Sequence, residues 1–437
     1  MIRLDFYKNK HVGVLGLGKT GKSAVDALKF SGAEVSVYDD KLDNDIESVK
    51  KLDALVVSPG IHLQWPHKHP IVDIAQRCAI PVLSDLDLFL QHVNRKNICI
   101  TGTNGKSTTT ALIGHIFETV GETSVGGNIG CPILSLPENS EYYVFELSSY
   151  QLEASNILGL DTAILLNITP DHLTRHGGMT GYITAKQKIF MNFNEKSHAI
   201  IGVDDSHCEK IYEFLKGIGH PDVVPISGNV VPQGGIGWEN DKLIDDRFGQ
   251  REVICEKIES FSGNHNYQNI AASYAACVEN GVSKDVFLSR LHTFKGLAHR
   301  QELIAEINGV KYINDSKATN ADSVEQALKR FDNVIWILGG RPKEDGIESL
   351  IKYFKKIRFA YLIGEAAEAW SKLLTANGVA NEISGTLDKA VLASSKKAEE
   401  LGADIVLLSP ACASFDQFKD FEERGDKFRQ FVMNLKS

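Results

Sequence analysis

The sequence predicts an α/β protein made of three successive segments, each built on a mostly parallel sheet. Two observations carry this. Short apolar runs of β type recur along the chain, and nearly every one ends at a glycine- or hydroxyl-rich turn that opens a helical spacing. Two of those turns, Gly16–Gly21 and Gly102–Ser107, have the form of helix N-termini suited to phosphate. A chain of 437 residues also exceeds one ordinary core. The segments expected are 1–92, 93–298 and 299–437.

In the first segment, His11–Leu15 reads as a strand, followed by Gly16-Leu17-Gly18-Lys19-Thr20-Gly21. A helix follows through Ala24, Val25, Leu28 and Phe30, then a strand Val35–Tyr38 that ends at Asp39-Asp40. This is the G-x-G-x-x-G fingerprint with an acidic residue roughly twenty positions on, so the segment is expected to be Rossmann-like. Alone it suggests a nicotinamide oxidoreductase. A uridine diphosphate would fit the same helix end, and a turn without ligand is the bland reading. Strands Ala54–Val57, running into Ser58-Pro59-Gly60, and Val82–Leu83 complete the segment.

The second segment opens with Ile98-Cys99-Ile100, a sharp turn Thr101-Gly102-Thr103-Asn104-Gly105, and Lys106-Ser107-Thr108 at the head of a helical spacing. Strand, glycine loop and a helix start bearing Lys-Ser make a cradle for a nucleoside triphosphate. Lys106 would reach the terminal phosphates and the Ser107 hydroxyl would ligate Mg²⁺. Gly102 and Gly105 enclose two residues where the usual P-loop has four. Farther on, strand Tyr142–Phe145 delivers Glu146, and Ala163–Leu166 leads to Asn167 and Asp171-His172. Ligands of parallel sheets sit at the carboxyl ends of strands, so Glu146, Asp171 and His172 are expected to face one region as metal ligands. Tyr182–Phe190 has helical spacing and carries Lys186 and Lys188. Residues 195–260 read as hairpins and surface loops. Asn266 reads as a cap for the alanine-rich helix around Ala271–Ala276.

The third segment repeats the strand–turn–helix rhythm. Lys311–Asn314 leads to Asp315-Ser316-Lys317-Ala318-Thr319-Asn320, and Val334–Leu338 to Gly339-Gly340-Arg341-Pro342-Lys343. Phe359–Ile363 leads to Gly364-Glu365, and Ile405–Leu408 to Ser409-Pro410-Ala411-Cys412-Ala413-Ser414. This is a second doubly wound, Rossmann-like segment without a phosphate fingerprint, so a different ligand is expected there.

Composition narrows the function classes. A formal net charge of −9 with no basic block argues against nucleic acid or an anionic membrane as partner. No apolar run approaches a bilayer span, and the N-terminus lacks the core of a secretory signal. Seven scattered cysteines with no Cys-x-x-Cys support neither zinc nor a disulfide framework, which points to the cytoplasm.

Taken together, Thr101–Thr108, Glu146-Leu147-Ser148-Ser149, Asn167 with Asp171-His172, and Ala185-Lys186 resemble the signature blocks of the Mur ligases. The Asp315–Asn320 and Ser409–Ser414 blocks are similar to those of the members that add D-glutamate. The resemblance implies ATP bound by Gly102, Thr103, Asn104, Gly105, Lys106, Ser107 and Thr108, with Asn266, Asn269, Arg300 and Asp315 also at the nucleotide. It implies two Mg²⁺ sites served by Ser107, Glu146, His172 and Lys186, with Lys186 carbamylated. Lys106, His172, Lys186, Arg300 and Lys317 would be the catalytic set. A UDP-N-acetylmuramoyl-L-alanine substrate would meet Lys19, Thr20, Asp39, Asp40, Ser58, Asn128 and Gln151. D-Glutamate would meet Thr319, Lys343, Ser414 and Phe421. Arg341 stands where an acidic residue is common in the family. A monomer acting on small molecules, closing its domains around substrate, is expected. The alternatives are a folylpolyglutamate-type ligase, which would not need Gly16–Gly21, and the nicotinamide oxidoreductase, which would leave Lys106, Glu146 and His172 idle.

Overall fold

The computed structural model describes residues 1–42, 45–64, 66–156, 159–220, 222–257, 264–342 and 346–436. They form two compact units, Met1–Phe294 and Lys295–Ser437.

The first unit holds two sheets. One is parallel and four-stranded, in the order Glu34–Tyr38, His11–Leu15, Ala54–Val57, Val82–Leu83. Ala54–Val57 is buried throughout, so with both faces covered it reads as a continuous apolar run and not as an alternation. The third glycine of the fingerprint is required by packing. A Cβ on Gly21 would stand 1.8 Å from the Gly16 carbonyl oxygen, so only glycine lets the helix Lys19–Phe30 start this close to its strand.

The second sheet has nine strands. In spatial order these are Glu252–Glu256, Lys242–Asp245, Ile236–Glu239, Val223–Ile226, His198–Gly202, Thr162–Leu165, Lys96–Thr101, Tyr142–Glu146 and Thr123–Gly127. The first three are joined antiparallel and the rest run parallel. Lys96–Thr101 lies between Tyr142–Glu146 and Thr162–Leu165, where successive connections leave in opposite directions. Such a reversal opens a crevice at the carboxyl ends of the strands. Over 195–260 the expected hairpins are present, with Ile236–Glu239, Lys242–Asp245 and Glu252–Glu256 joined antiparallel. The surface loops expected beside them are corrected: the segment also adds the strands His198–Gly202 and Val223–Ile226 and the helix Ser206–Gly217. Its strands run only four or five residues each. That is too short for a period-2 pattern to stand out between glycines and acids.

One core cluster joins the two sheets, running from Val12 and Val14 through Leu86 and Phe89 to Tyr143 and Phe145. Phe89, on the helix Asp85–His92, meets Tyr143 and Phe145 edge-on with ring centroids 4.8 and 4.9 Å apart. Edge-to-face pairs add about 0.5–1.5 kcal/mol each to the burial of the rings. This shared core is why Met1–Phe294 behaves as one compact body.

The second unit is a six-stranded sheet in the order Glu302–Ile307, Val310–Asn314, Ile405–Leu408, Val334–Gly339, Ile357–Ile363, Asn381–Gly385. Only the first pair is antiparallel. Among the described residues, no helix is long and apolar enough to cross a membrane.

Candidate functional site

The glycine loop sits at the end of the strand Lys96–Thr101, at the crevice. Gly105 caps the helix Lys106–Phe117 with φ of 86°, a left-handed conformation that favours glycine. A Cβ there would also lie 2.3 Å from Asn269 Oδ1. Asn269 is buried against the loop, and its Oδ1 has no hydrogen-bond partner. Asn266 is the third residue of the helix Asn264–Glu279, so the expected cap is corrected: the helix starts before it.

Asn167 braces the loop, a role the sequence did not single out. Its carbonyl accepts from the Thr103 amide at 2.8 Å, and its Oδ1 accepts from the Asn104 amide at 2.8 Å. Its Nδ2 donates to Asn104 O and Gln268 Oε1, both at 3.1 Å. Lys106 Nζ folds back onto the carbonyls of Gly102 and Thr103, at 2.8 Å each. Ser107 and Thr108 are buried in the first turn.

Glu146 closes its strand and is 3% exposed. Its Oε1 accepts from Asn128 Nδ2 at 2.8 Å, while Oε2 is buried with no partner. An unsatisfied buried carboxylate oxygen is costly, and a hard cation is the partner its chemistry suits. Asn128, expected among the contacts of the UDP-linked substrate, holds this carboxylate in the ligand-free protein. Lys186 lies in the helix Met179–Gln187, with 188–190 continuing as a 3-10 turn. It is 1% exposed; Nζ donates to Gly102 O at 2.8 Å and sits 4.8 Å from the centroid of the Tyr182 ring. Burial, then the nearby Lys106 charge, hold its amine well below the usual lysine range. Lys188 is only half-buried and donates to Glu153 O at 2.8 Å.

His172 has φ of 50° and a side chain 51% exposed. Tyr150 Oη lies 3.3 Å from its Nδ1, and Asp171 Oδ2 lies 3.5 Å from its Nε2. Glu146, Asp171 and His172 do not close into a set of ligand atoms within 4.8 Å; among the described residues only His198, Asp222 and Glu279 do. The loop beyond Leu165 runs through Pro170 to the short helix Leu173–His176, which carries Asp171 and His172 towards solvent.

At the first sheet, the Leu17 amide donates to Asp39 Oδ2 at 2.8 Å, and Ser58 Oγ donates to Gly16 O at 2.7 Å. The Leu17 bond and one from Lys41 hold the Asp39 carboxyl below its usual range. Asp39 therefore ties the glycine turn itself. Asp40 meets His69 Nε2 at 3.1 Å. Lys19 is exposed and Thr20 half-buried in the first helical turn. Gln151 is buried, its Oε1 accepting from Ser148 N and Oγ at 3.0 and 3.1 Å as half of a capping box.

In the second unit, Asp315 is buried between Ser409 Oγ at 2.7 Å and the Gln301 amide at 3.1 Å. Burial raises its carboxyl to about 7, with Ser409 and then Arg300 opposing the rise. The Lys317 amide donates to His299 O at 2.9 Å. Ser414 is buried and Thr319 half-buried. Phe421 opens the helix Phe421–Asn434, its carbonyl accepting from Ser316 Oγ at 2.8 Å. Lys343 lies outside the described residues. Arg341 pairs with Glu365 at 3.0 Å, and its amide donates to Ala413 O at 2.9 Å. Arg424 was missed. It is fully buried, donating to Ser316 Oγ and O at 3.0 and 2.8 Å and to Cys412 O at 3.1 and 3.2 Å, and burial lowers it to about 10. A single arginine on an amphipathic helix reads as solvated, so the sequence held no signal for it.

Comparison with known proteins places these features. Residues 100–277 match the Mur ligase middle domain, and 299–412 match the glutamate ligase domain of Mur ligases. The UDP-N-acetylmuramoylalanine--D-glutamate ligase of Rhodospirillum rubrum is 43% identical, the alignment covering 100% of this chain and 97% of the relative. That of Caulobacter vibrioides is 44% identical over 100% and 98%. Among solved structures, the UDP-N-acetylmuramate-alanine ligase of Thermotoga maritima shares the fold, with a TM-score of 0.59 at 18% identity over 98% of this chain and 100% of that one. The MurF ligase of the same organism, solved with ADP, has a TM-score of 0.55 at 17% identity over 100% and 98%. On that full-length identity, the chain belongs to the Mur ligase family, among the UDP-N-acetylmuramoylalanine--D-glutamate ligases.

Proposed function

We propose that this protein is the ATP-dependent ligase that joins D-glutamate to UDP-N-acetylmuramoyl-L-alanine in peptidoglycan precursor synthesis, an acid–D-amino-acid ligase of class EC 6.3.2.9. The observation that carries the reading is the pair of buried, unpartnered oxygens beside the glycine loop that bears Lys106: Glu146 Oε2 at a strand end and Asn269 Oδ1 on the helix packed against Gly105. The first sheet would hold the uridine diphosphate in a Rossmann-like manner at the Gly16–Gly21 turn, through Lys19, Thr20, Ser58 and the Asp39-Asp40 turn. Asp39 is already engaged by the Leu17 amide, which favours this over a nicotinamide dinucleotide, whose ribose would need that carboxylate.

A carboxylate oxygen of the alanyl group attacks the γ-phosphorus of ATP, and ADP leaves. The amine of D-glutamate then attacks the acyl phosphate carbon, loses a proton, and phosphate departs with the original carboxylate oxygen. Lys106 swings from the carbonyls of Gly102 and Thr103 to the transferring phosphoryl group, where a fixed cation counts most. Ser107, Glu146, His172 and Lys186 would hold two Mg²⁺ ions. Bound Mg²⁺ supplies charge neutralisation on the phosphates. The Lys186 amine, held below the usual lysine range by burial and by the Lys106 charge, is suited to add CO₂ and lose a proton, giving a carbamate ligand. His172 orients the incoming amine. In the second unit, Arg300 and Lys317 stabilise phosphate charge, Asp315 serves the nucleotide, and Thr319, Lys343, Ser414 and Phe421 hold D-glutamate. The division into 1–92, 93–298 and 299–437, a monomeric state and a cytoplasmic location complete the proposal.

The test is phosphate release from ATP, Mg²⁺ and UDP-N-acetylmuramoyl-L-alanine with D-glutamate, L-glutamate, meso-diaminopimelate or L-lysine offered singly. Release with D-glutamate alone, lost in Lys106→Ala, supports it. Release with another amino acid overturns the assignment of Ser414 and Lys343.

A further inference from the structure

Within the first unit an unbroken chain of contacts runs from the glycine turn to His172. Ser58 Oγ ties the turn after the strand Ala54–Val57 to Gly16 O at 2.7 Å. The guanidinium of Arg175 then takes the next three carbonyls of that turn in succession. Nη2 donates to Pro59 O at 3.4 Å and Ile61 O at 2.6 Å, and Nη1 donates to Gly60 O at 3.1 Å. Its Nε donates to Glu153 Oε2 at 3.2 Å, and the side chain is 7% exposed. The cation stands 5.0 Å from the centroid of the Tyr150 ring, and Tyr150 Oη lies 3.3 Å from His172 Nδ1. Arg175 itself sits three residues after His172, in the helix Leu173–His176.

Only a planar, five-donor fork can serve three carbonyls and a carboxylate from one side chain; an ammonium cannot span them. The Glu153 carboxylate fixes the guanidinium from the other side, and the Tyr150 face leaves it little freedom to turn. We propose that Arg175 is a positioning residue that sets the spacing between the Ser58–Ile61 turn and the His172 loop. The diphosphate end and the acyl end of one substrate are thereby presented at a fixed separation. The inference rests on the substrate assigned above. It adds a residue that touches neither the reacting atoms nor ATP.

Two variants test it: Arg175→Lys and Tyr150→Phe. In ligand-free protein, amide hydrogen exchange read by mass spectrometry should rise together in peptides covering 58–62 and 171–177 of Arg175→Lys. The strand Lys96–Thr101 should keep wild-type protection. In phosphate release, Arg175→Lys should raise KM for the UDP-linked substrate about tenfold or more while KM for ATP stays within about twofold. Tyr150→Phe, which deletes only the link to His172, should lower kcat without moving that KM. Exchange rising across the whole unit, or the two KM values moving in parallel with a fall in Tm, would reduce Arg175 to a fold-holding clamp and overturn the proposal. Should wild-type protein release no phosphate with this substrate, the assigned function fails on its own, and the exchange pattern still decides whether the two loops are coupled.

Discussion

Replacing Lys186 with methionine should stabilise the first unit while abolishing activity. Two ammonium groups, Lys106 and Lys186, each donate to Gly102 O at 2.8 Å, so their nitrogens stand at most twice that distance apart. At an effective dielectric of ~20 their repulsion is about 3 kcal/mol or more. Desolvation of a side chain 1% exposed adds to it, and the charges of Asp171 and Glu146 offset part. Methionine keeps the packing volume and gives up the bond to Gly102 O, worth roughly 1.5–3 kcal/mol for a charged donor. The net gain expected is about 1–3 kcal/mol, within the range seen when buried charges are replaced by apolar groups. Unfolding entropy of ~2.1 cal/mol/K per residue, over the unit Met1–Phe294, converts this to roughly 2–5 °C in Tm. The assay is thermal unfolding in bicarbonate-free buffer, where no carbamate can form. The sign with pH is fixed. A lysine held below its unfolded value binds fewer protons folded than unfolded, so wild-type stability rises with pH between the lowered value and ~10.4. The advantage of Lys186→Met should therefore shrink as pH rises through that window. A variant less stable than wild type at pH 7, or an advantage constant with pH, would refute the electrostatic reading of Lys186.

Restoring bicarbonate to CO₂-depleted wild type should raise phosphate release, and Lys186→Met should not respond; a bicarbonate-independent wild type would remove the carbamate. Glu146→Gln should raise the Mg²⁺ needed for half-maximal phosphate release about tenfold or more. Its Tm should hold or rise, because a neutral amide replaces a buried carboxylate with one unpartnered oxygen; an unchanged Mg²⁺ requirement would remove Glu146 from the metal site. Asp315 is raised to about 7 by burial, so its contribution to stability is present below ~4 and lost as pH climbs to about 7. Asp315→Asn should flatten the fall in stability of the second unit over that window, read by unfolding at pH 5 and pH 8. Arg424→Ala strips donors from the carbonyls of Ser316 and Cys412 and should cost about 2–4 kcal/mol; a loss under 1 kcal/mol would show that water replaces it.

The sequence made legible whatever local pattern encodes. Strand, glycine loop and helix at Lys96–Phe117 follow from an apolar run, a turn and helical spacing, and the Gly16–Gly21 unit from its fingerprint. It left hidden whatever three-dimensional packing decides. The shared core around Phe89 depends on a helix of the first segment meeting the second sheet. Lys186 and Lys188 look alike along the chain; only burial separates the amine at Gly102 from the half-buried one at Glu153. Asn167 and Arg175 act through bonds spanning more than sixty residues, which no window of the sequence contains. The strand ends placed Glu146 correctly, yet the outward loop at Pro170 could not be read from spacing, so the three expected ligands do not close up.

The most direct measurement follows the oxygen. With ¹⁸O in the alanyl carboxylate of UDP-N-acetylmuramoyl-L-alanine, incubated with ATP, Mg²⁺ and D-glutamate, the account predicts one ¹⁸O in each phosphate released, read by mass spectrometry. Phosphate carrying no label, with amide still formed, would contradict activation of the carboxylate by phosphoryl transfer.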